Sequence, residues 1–196
     1  MVKSILIING TTRDKGNTDA IIEKLIEGAE AVDLNIKYFK LRDLNVANCI
    51  GCCTCKDESK CFFQDNMTEI REYINKSDLL ILASPIYWCE ITGLMKTFMD
   101  RLYFYHHSNN SALISGKKAI IITTMGEANN IEYESEVLVE FYKRALKSLQ
   151  VEILDMLFFS DLMEKEAILK KPEYLEKAYD AGKDLKTMID KTLFNV

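Results

Sequence analysis

Short, unbroken apolar runs alternate along this chain with longer stretches that place an apolar residue every three or four positions. Lys3–Ile8 is an apolar, β-branched run of the kind that forms a parallel strand buried on both faces. Thr18–Ala31 sets Ile21, Ile22, Leu25 and Ile26 at helical spacing and predicts a helix. Asn35–Leu41 predicts a second strand. After a segment without apolar period, Asp65-Asn66 can cap a helix that runs to about Lys76, with Met67, Ile70, Tyr73 and Ile74 inward. Asp78–Ala83 predicts a third buried strand, Gly93–Tyr105 an amphipathic helix and Lys118–Thr124 a fourth strand. Glu134–Leu149 predicts a helix and Val151–Phe158 a fifth strand. Leu162 to about Leu193 is a last helical stretch with a break near Pro172.

Strands and helices that alternate in this way build a parallel sheet with helices on both faces. Five strands suit an α/β three-layer sandwich of flavodoxin-like order 2-1-3-4-5, whose ligand site lies at the carboxyl ends of the strands. The expected organisation is a single domain over 1–196, with a cysteine-rich insertion at about 45–64. A chain of 196 residues can bury a large core without staples. Net charge is −5 and the basic residues form no stripe, which argues against nucleic acid as a partner. No stretch approaches the ~20 apolar residues of a membrane span. The opening run Met1–Asn9 is too short for a secretory signal, so a cytoplasmic location is expected. Two prolines and eight glycines leave no linker, and no internal repeat is visible.

Five of the six cysteines crowd one segment: Cys49, Cys52, Cys53, Cys55 and Cys61. Without Cys53 the spacing is C-x2-C-x2-C-x5-C. Thiolates this close in sequence converge only if the backbone curls around something small. An iron–sulfur cube is the usual object, because each iron takes one thiolate. Structural zinc more often uses two separated pairs, and plain thiols without metal stay open as well. Disulfides need an oxidising compartment, to which nothing in the chain points.

Three loops follow predicted strands. The first, Asn9–Thr18, leads into a helix whose N-terminus offers unpaired N–H groups and partial positive charge, a natural phosphate site. Its glycines are spaced neither as a Walker A loop nor as G-x-G-x-x-G. The second, Ser84–Glu90, carries the only tryptophan and one proline, a rigid wall for a flat ring. The third is Thr123–Glu127.

Taken with the helix segment Leu94-Met95-Lys96-Thr97-Phe98-Met99-Asp100-Arg101, these pieces resemble the NAD(P)H-dependent FMN reductase family. The cysteine spacing resembles its iron–sulfur flavoprotein branch. The resemblance covers roughly residues 3–126. It implies that Thr11, Thr12, Arg13, Asn17 and Thr18 hold the FMN phosphate, while Pro85, Ile86, Tyr87 and Trp88 border ribityl and ring. It implies that Thr124, Met125 and Gly126 line the far side, and that Cys49, Cys52, Cys55 and Cys61 ligate a [4Fe-4S] cluster. Cys89 stands where relatives often carry glycine, and Cys53 is an extra thiol. The implied activity passes electrons between NAD(P)H or ferredoxin and an acceptor such as a quinone, a nitro compound or a metal ion. A reductase without a cluster, or a flavodoxin-type carrier, are the alternatives. No catalytic side chain is needed: the protein places and tunes the ring. The helix Gly93–Tyr105 looks apolar on more than one face, so a homodimer or homotetramer is expected.

Overall fold

The computed structural model describes residues 3–127 and 131–191. In chain order the elements are β1 (Ser4–Asn9), α1 (Asn17–Glu30), β2 (Asn35–Lys40), a 3-10 turn at Leu41–Asp43, α2 (Thr54–Asp57), α3 (Met67–Lys76), β3 (Leu79–Tyr87) and β4 (Glu90–Ile91). They continue as α4 (Gly93–Arg101), a 3-10 turn at Leu102–His106, α5 (Ser108–Ser111), β5 (Lys118–Thr124) and α6 (Ile131–Ser148). β6 (Glu152–Phe159), a 3-10 turn at Ala167–Lys170 and α7 (Pro172–Lys191) complete them.

The sheet order is β2-β1-β3-β5-β6, all parallel. This is the expected 2-1-3-4-5 order once the short β4 is set aside. β4 is an addition: β3 runs past the sheet to Tyr87 and turns back, pairing antiparallel through Ile86–Ile91 and Tyr87–Glu90. Alternate residues of each central strand point to opposite layers, so one sequence feeds two cores. Ile5, Ile7, Ile81 and Ile122 pack with Ile21, Leu25, Ala178 and Leu185 of α1 and α7. Leu6, Ile8, Leu82 and Ile121 pack with Ile70, Phe98, Leu138 and Tyr142 of α3, α4 and α6.

α1 and α7 touch backbone to backbone. A Cβ on Gly28 would stand 2.0 Å from the Tyr179 carbonyl oxygen, and one on Gly182 would stand 2.1 Å from that of Leu25. The last helical stretch is shorter than expected. Pro172, with no N–H and a fixed φ, suits the first position of a helix, and α7 begins there. The expected end at Leu193 lies outside the described residues. α4 also stops early, at Arg101, and tightens into 3-10 winding. Met95, Phe98, Met99, Leu102 and Tyr105 are all buried within the chain. Leu94 and Phe104 are half-buried and Tyr103 is exposed, so the chain covers part of the apolar surplus of that segment.

Candidate functional site

The carboxyl ends of β1, β3 and β5 open into a cavity of about 310 Å³, at the small end for a small-molecule site. The first loop lines it with Thr11, Arg13, Asn17 and Thr18. The second contributes Pro85, Ile86, Tyr87 and Trp88, and the third Thr124, Met125 and Gly126. Thr12 does not line it; its hydroxyl lies 3.1 Å from that of Tyr87, tying first loop to second. Two residues the sequence reading missed, Leu162 and Met163, close the far wall. They follow β6 as the other loops follow their strands, and that topological position was the available signal.

The first loop is held from behind. Asn9, fully buried, donates through its side-chain amide to Asp19 at 2.7 Å and to the Tyr38 hydroxyl at 2.8 Å, and accepts from the Thr11 amide. Asp19 is buried in the first turn of α1, where its charge would repel a phosphate. Arg42 meets it at 3.0 Å and also donates to the Arg13 carbonyl at 3.1 Å. Burial opposes the Arg42 charge, but the Asp19 bond and charge outweigh it and raise its pKa. Burial pushes the Tyr38 phenol up. The Asn17 amide donates to the Leu162 and Glu164 carbonyls and its oxygen accepts from the Ile168 amide. It fastens the fourth loop. Arg13 donates to the Met163 carbonyl at 2.8 Å, and the Thr18 and Thr124 hydroxyls pair at 2.9 Å. The N-cap of α1 is Gly16, which has no side chain to satisfy the first-turn N–H groups. Uncapped first-turn donors of this kind suit an anion.

The β3–β4 hairpin turns on Trp88 and Cys89, with φ of 49° and 69°. Two successive left-handed residues make a type I′ turn, which favours glycine. Cys89 therefore sits in a backbone conformation that a glycine would adopt without strain. Trp88 stands at the cavity rim, 98 % exposed.

A second hollow is lined by all five clustered cysteines, Cys49, Cys52, Cys53, Cys55 and Cys61, together with Ile50, Phe62, Phe63, Arg101 and Phe104. Burial pushes the Cys55 thiol up, and the charges of Cys61, Cys49 and Cys52 add to it. Those three neighbours and Cys55 are the four cysteines left when Cys53 is set aside. Cys53, left-handed at φ 61°, donates its S–H to the Gly51 carbonyl at 3.5 Å. Thr54 donates to the Cys52 sulfur at 3.3 Å and holds that thiol's pKa below the usual range. Among the described residues, no three His, Cys, Asp or Glu gather tightly enough to hold one metal ion. A single zinc draws thiolates to about 2.3 Å from itself, whereas a cube spreads one thiolate to each of four irons. Five thiols line the hollow, enough to give a cube its four ligands with one to spare.

Arg101 and Asp65 stand beside this hollow at 2.6 Å, both nearly fully buried. Burial alone would raise the Asp65 pKa, but the Arg101 bond and the Ala47 amide hold it below the usual carboxylate range. Burial opposes the Arg101 charge too, and Asp65 and Cys61 raise its pKa nonetheless.

The family model described as NADPH-dependent FMN reductase matches residues 4–152. The chain belongs to that family. An iron–sulfur flavoprotein of Clostridioides difficile is 39 % identical over 102 residues, covering 50 % of this chain and 45 % of the relative. One of Archaeoglobus fulgidus is 28 % identical over 132 residues, 67 % of this chain and 60 % of that one. The chain thus spans about half the length of the curated relatives it matches. Among solved structures, an NAD(P)H:quinone oxidoreductase from Methanothermobacter marburgensis superposes with a TM-score of 0.78 at 17 % identity, covering 95 % of this chain and 97 % of that one. The Trp repressor binding protein of Bacillus subtilis superposes at 0.66 with 24 % identity, covering 90 % and 98 %. These likenesses show the flavodoxin-like fold of the family. Among the described residues no helix is long and apolar enough to cross a membrane.

Proposed function

We propose that the chain is an FMN-dependent oxidoreductase that passes electrons from NAD(P)H or ferredoxin to an acceptor such as a quinone, a nitro compound or a metal ion. One observation carries this reading: three strand-end loops converge on a cavity at a helix N-terminus whose cap has no side chain. In this reading the first-turn N–H groups of α1 and the hydroxyls of Thr11 and Thr18 take the FMN phosphate, with Arg13 as a charge beside it. Thr12 acts one step back, through Tyr87. Pro85, Ile86, Tyr87 and Trp88 border ribityl and ring, and Thr124, Met125 and Gly126 line the opposite side. Leu162 and Met163 keep water from that wall. Arg42 offsets the charge of Asp19 behind the phosphate position. Cys49, Cys52, Cys55 and Cys61 hold a [4Fe-4S] cluster in the second hollow, while Cys53 and Cys89 stay outside the ligand set. Bound together, FMN and cluster supply two-electron chemistry on one side and single-electron chemistry on the other. The chain's own work is placement, exclusion of water and electrostatic tuning. The cytoplasm, where thiols stay reduced, suits the clustered cysteines.

Pairing of copies into a homodimer or homotetramer belongs to the proposal. Its support is the exposed Tyr103 of Gly93–Tyr105 together with Ile50, Phe62 and Trp88, the last three exposed by 60 %, 61 % and 98 %. All four belong to the two hollows or their rims.

Anaerobic purification with an absorbance spectrum, iron and sulfide counts, and NAD(P)H oxidation with an added quinone tests the reading. One flavin per chain, four irons and steady turnover are the expected outcome. In Cys55→Ser the iron count and the broad absorbance beside the flavin bands fall, and in Cys53→Ser neither does. Flavin and turnover without iron would leave a cluster-free reductase, and stoichiometric zinc without sulfide would overturn the cluster.

A further inference from the structure

We propose that Arg101 is the positioning residue of the four-cysteine hollow, closing its loop and aiming one N–H at the Cys61 sulfur. The inference rests on the cluster reading above for its electrostatic half and on geometry alone for its structural half.

Arg101 ends α4 and is 3 % exposed. Its Nη1 donates to the Ala47 carbonyl at 2.7 Å and to Asp65 Oδ2 at 2.6 Å. Its Nη2 donates to Asp65 Oδ1 at 3.1 Å and to Cys61 Sγ at 3.3 Å. Asp65 in turn accepts from the amides of Ala47 at 2.9 Å and Met67 at 3.1 Å. Ala47 lies before the first cysteine of the segment and Asp65 after the last. One guanidinium therefore ties the entry of the cysteine segment to its exit and fixes both on a core helix. The planar five-donor fork suits this arrangement, and a lysine ammonium, a point charge on a flexible stem, does not reproduce it.

An ordinary buried ion pair would need only Asp65 and Ala47. The fourth contact sets Arg101 apart. A cationic N–H aimed at a ligand sulfur stabilises the more negative state of whatever that sulfur ligates, and such bonds raise cluster potentials. Arg101 is thus placed to hold Cys61 in position and to make the cluster easier to reduce. Phe63, whose ring lies 5.2 Å from the guanidinium carbon, stacks against the same group and helps to shield it from solvent.

The test uses wild type, Arg101→Gln and Arg101→Lys, read in two ways. Hydrogen–deuterium exchange on the metal-free protein reports the clasp. Peptides from 44–65 should exchange roughly tenfold faster or more in both variants, as expected for loss of a charged hydrogen bond, while β1 and β3 peptides stay protected. The midpoint potential of the reconstituted cluster, followed by electron paramagnetic resonance, reports the tuning. It should fall in Arg101→Gln and lie between the two in Arg101→Lys, which keeps the charge. Unchanged exchange overturns the clasp. Faster exchange with an unchanged potential overturns the tuning and leaves a structural tie. Wild type that takes up neither iron nor sulfide overturns the cluster reading instead, and the metal-free exchange then still decides the clasp. If Arg101→Gln does not fold, Arg101→Lys carries both readouts against wild type.

Discussion

The two hollows of this chain are built by opposite means. The cavity at the strand ends is framed by backbone: β1, β3 and β5 bring their loops to one edge through continuous parallel pairing. Side chains such as Asn9, Arg42 and Asn17 refine that frame but do not create it. The cysteine hollow has almost no ladder of its own. Between Leu44 and Asp65 the only regular element is the four-residue α2, and the segment is pinned from outside by Asp65, Asn66, Thr97 and Arg101. A frame made by the sheet keeps its shape empty. A loop held by a few polar ties opens when one tie goes, and opens at lower free energy than the whole fold.

If α4 supports both regions, its removal should erase the contrast. Phe98 is fully buried against the sheet. Phe98→Ala should cost about 3–5 kcal/mol, measured by urea unfolding, and should destabilise sheet and cysteine segment in one transition. A loss under about 1 kcal/mol would mean that α4 is not the shared support.

Arg13→Ala should separate the regions cleanly. Loss of one charge-assisted bond should weaken FMN by about 1.5–3 kcal/mol in a titration followed by flavin fluorescence. Exchange in 44–65 should stay as in wild type. Unchanged FMN affinity would remove Arg13 from the phosphate position and leave it as a tie to Met163.

The same contrast decided what could be read from the residues. Apolar runs such as Ile5–Ile8 and Leu79–Ala83 report burial on both faces, and from them the sheet order and the strand-end loops follow. The hairpin return of β4 did not show, because Trp88-Cys89 is not the Asn-Gly or Asp-Gly pair that marks a type I′ turn. Leu162 and Met163 were hidden in a stretch whose spacing looks helical. Arg101 was visible as a member of the inward side of Gly93–Tyr105, with Leu94, Phe98 and Leu102, but without its partners. Its partners lie 36, 40 and 54 positions away, and no local pattern encodes a tie of that range. On Gly93–Tyr105 periodicity could not tell which apolar residues face the chain's own helices, such as Phe98, and which stay exposed, such as Tyr103.

Acid should act on the cysteine segment first. The native-state pKa of Asp65 is depressed below its ordinary value of 3.8. A depressed carboxylate contributes stability above its unfolded pKa and loses it as pH falls through the folded one. The tie to Ala47 and Met67 is therefore intact at neutral pH, and its contribution is lost as pH falls from the ordinary 3.8 through the lower native value. In a nuclear magnetic resonance titration the amide signals of Ala47 and Met67 should shift before those of β1. Asp65→Asn should remove that step. Simultaneous loss of β1 signals would show that the segment has no separate opening.

The smallest expected effect sharpens the contrast most, because it touches one tie and nothing else. The Thr97 hydroxyl donates to Asn48 Oδ1 at 2.7 Å on the exposed side of α4, one helical turn before Arg101. Both groups reach water, so the alanine variant leaves no buried atom unpaired, and the cost should be about 0.5–1 kcal/mol. Global stability to urea should hardly move, since no apolar contact of the core is lost. The local opening of 44–65 should still quicken by roughly twofold to fivefold in hydrogen exchange. The same substitution made at Thr18, whose hydroxyl pairs with Thr124 at the sheet-framed cavity, should leave exchange in its own loop nearer to wild type. If Thr97→Ala and Thr18→Ala loosen their loops equally, the two hollows do not differ in how they are held.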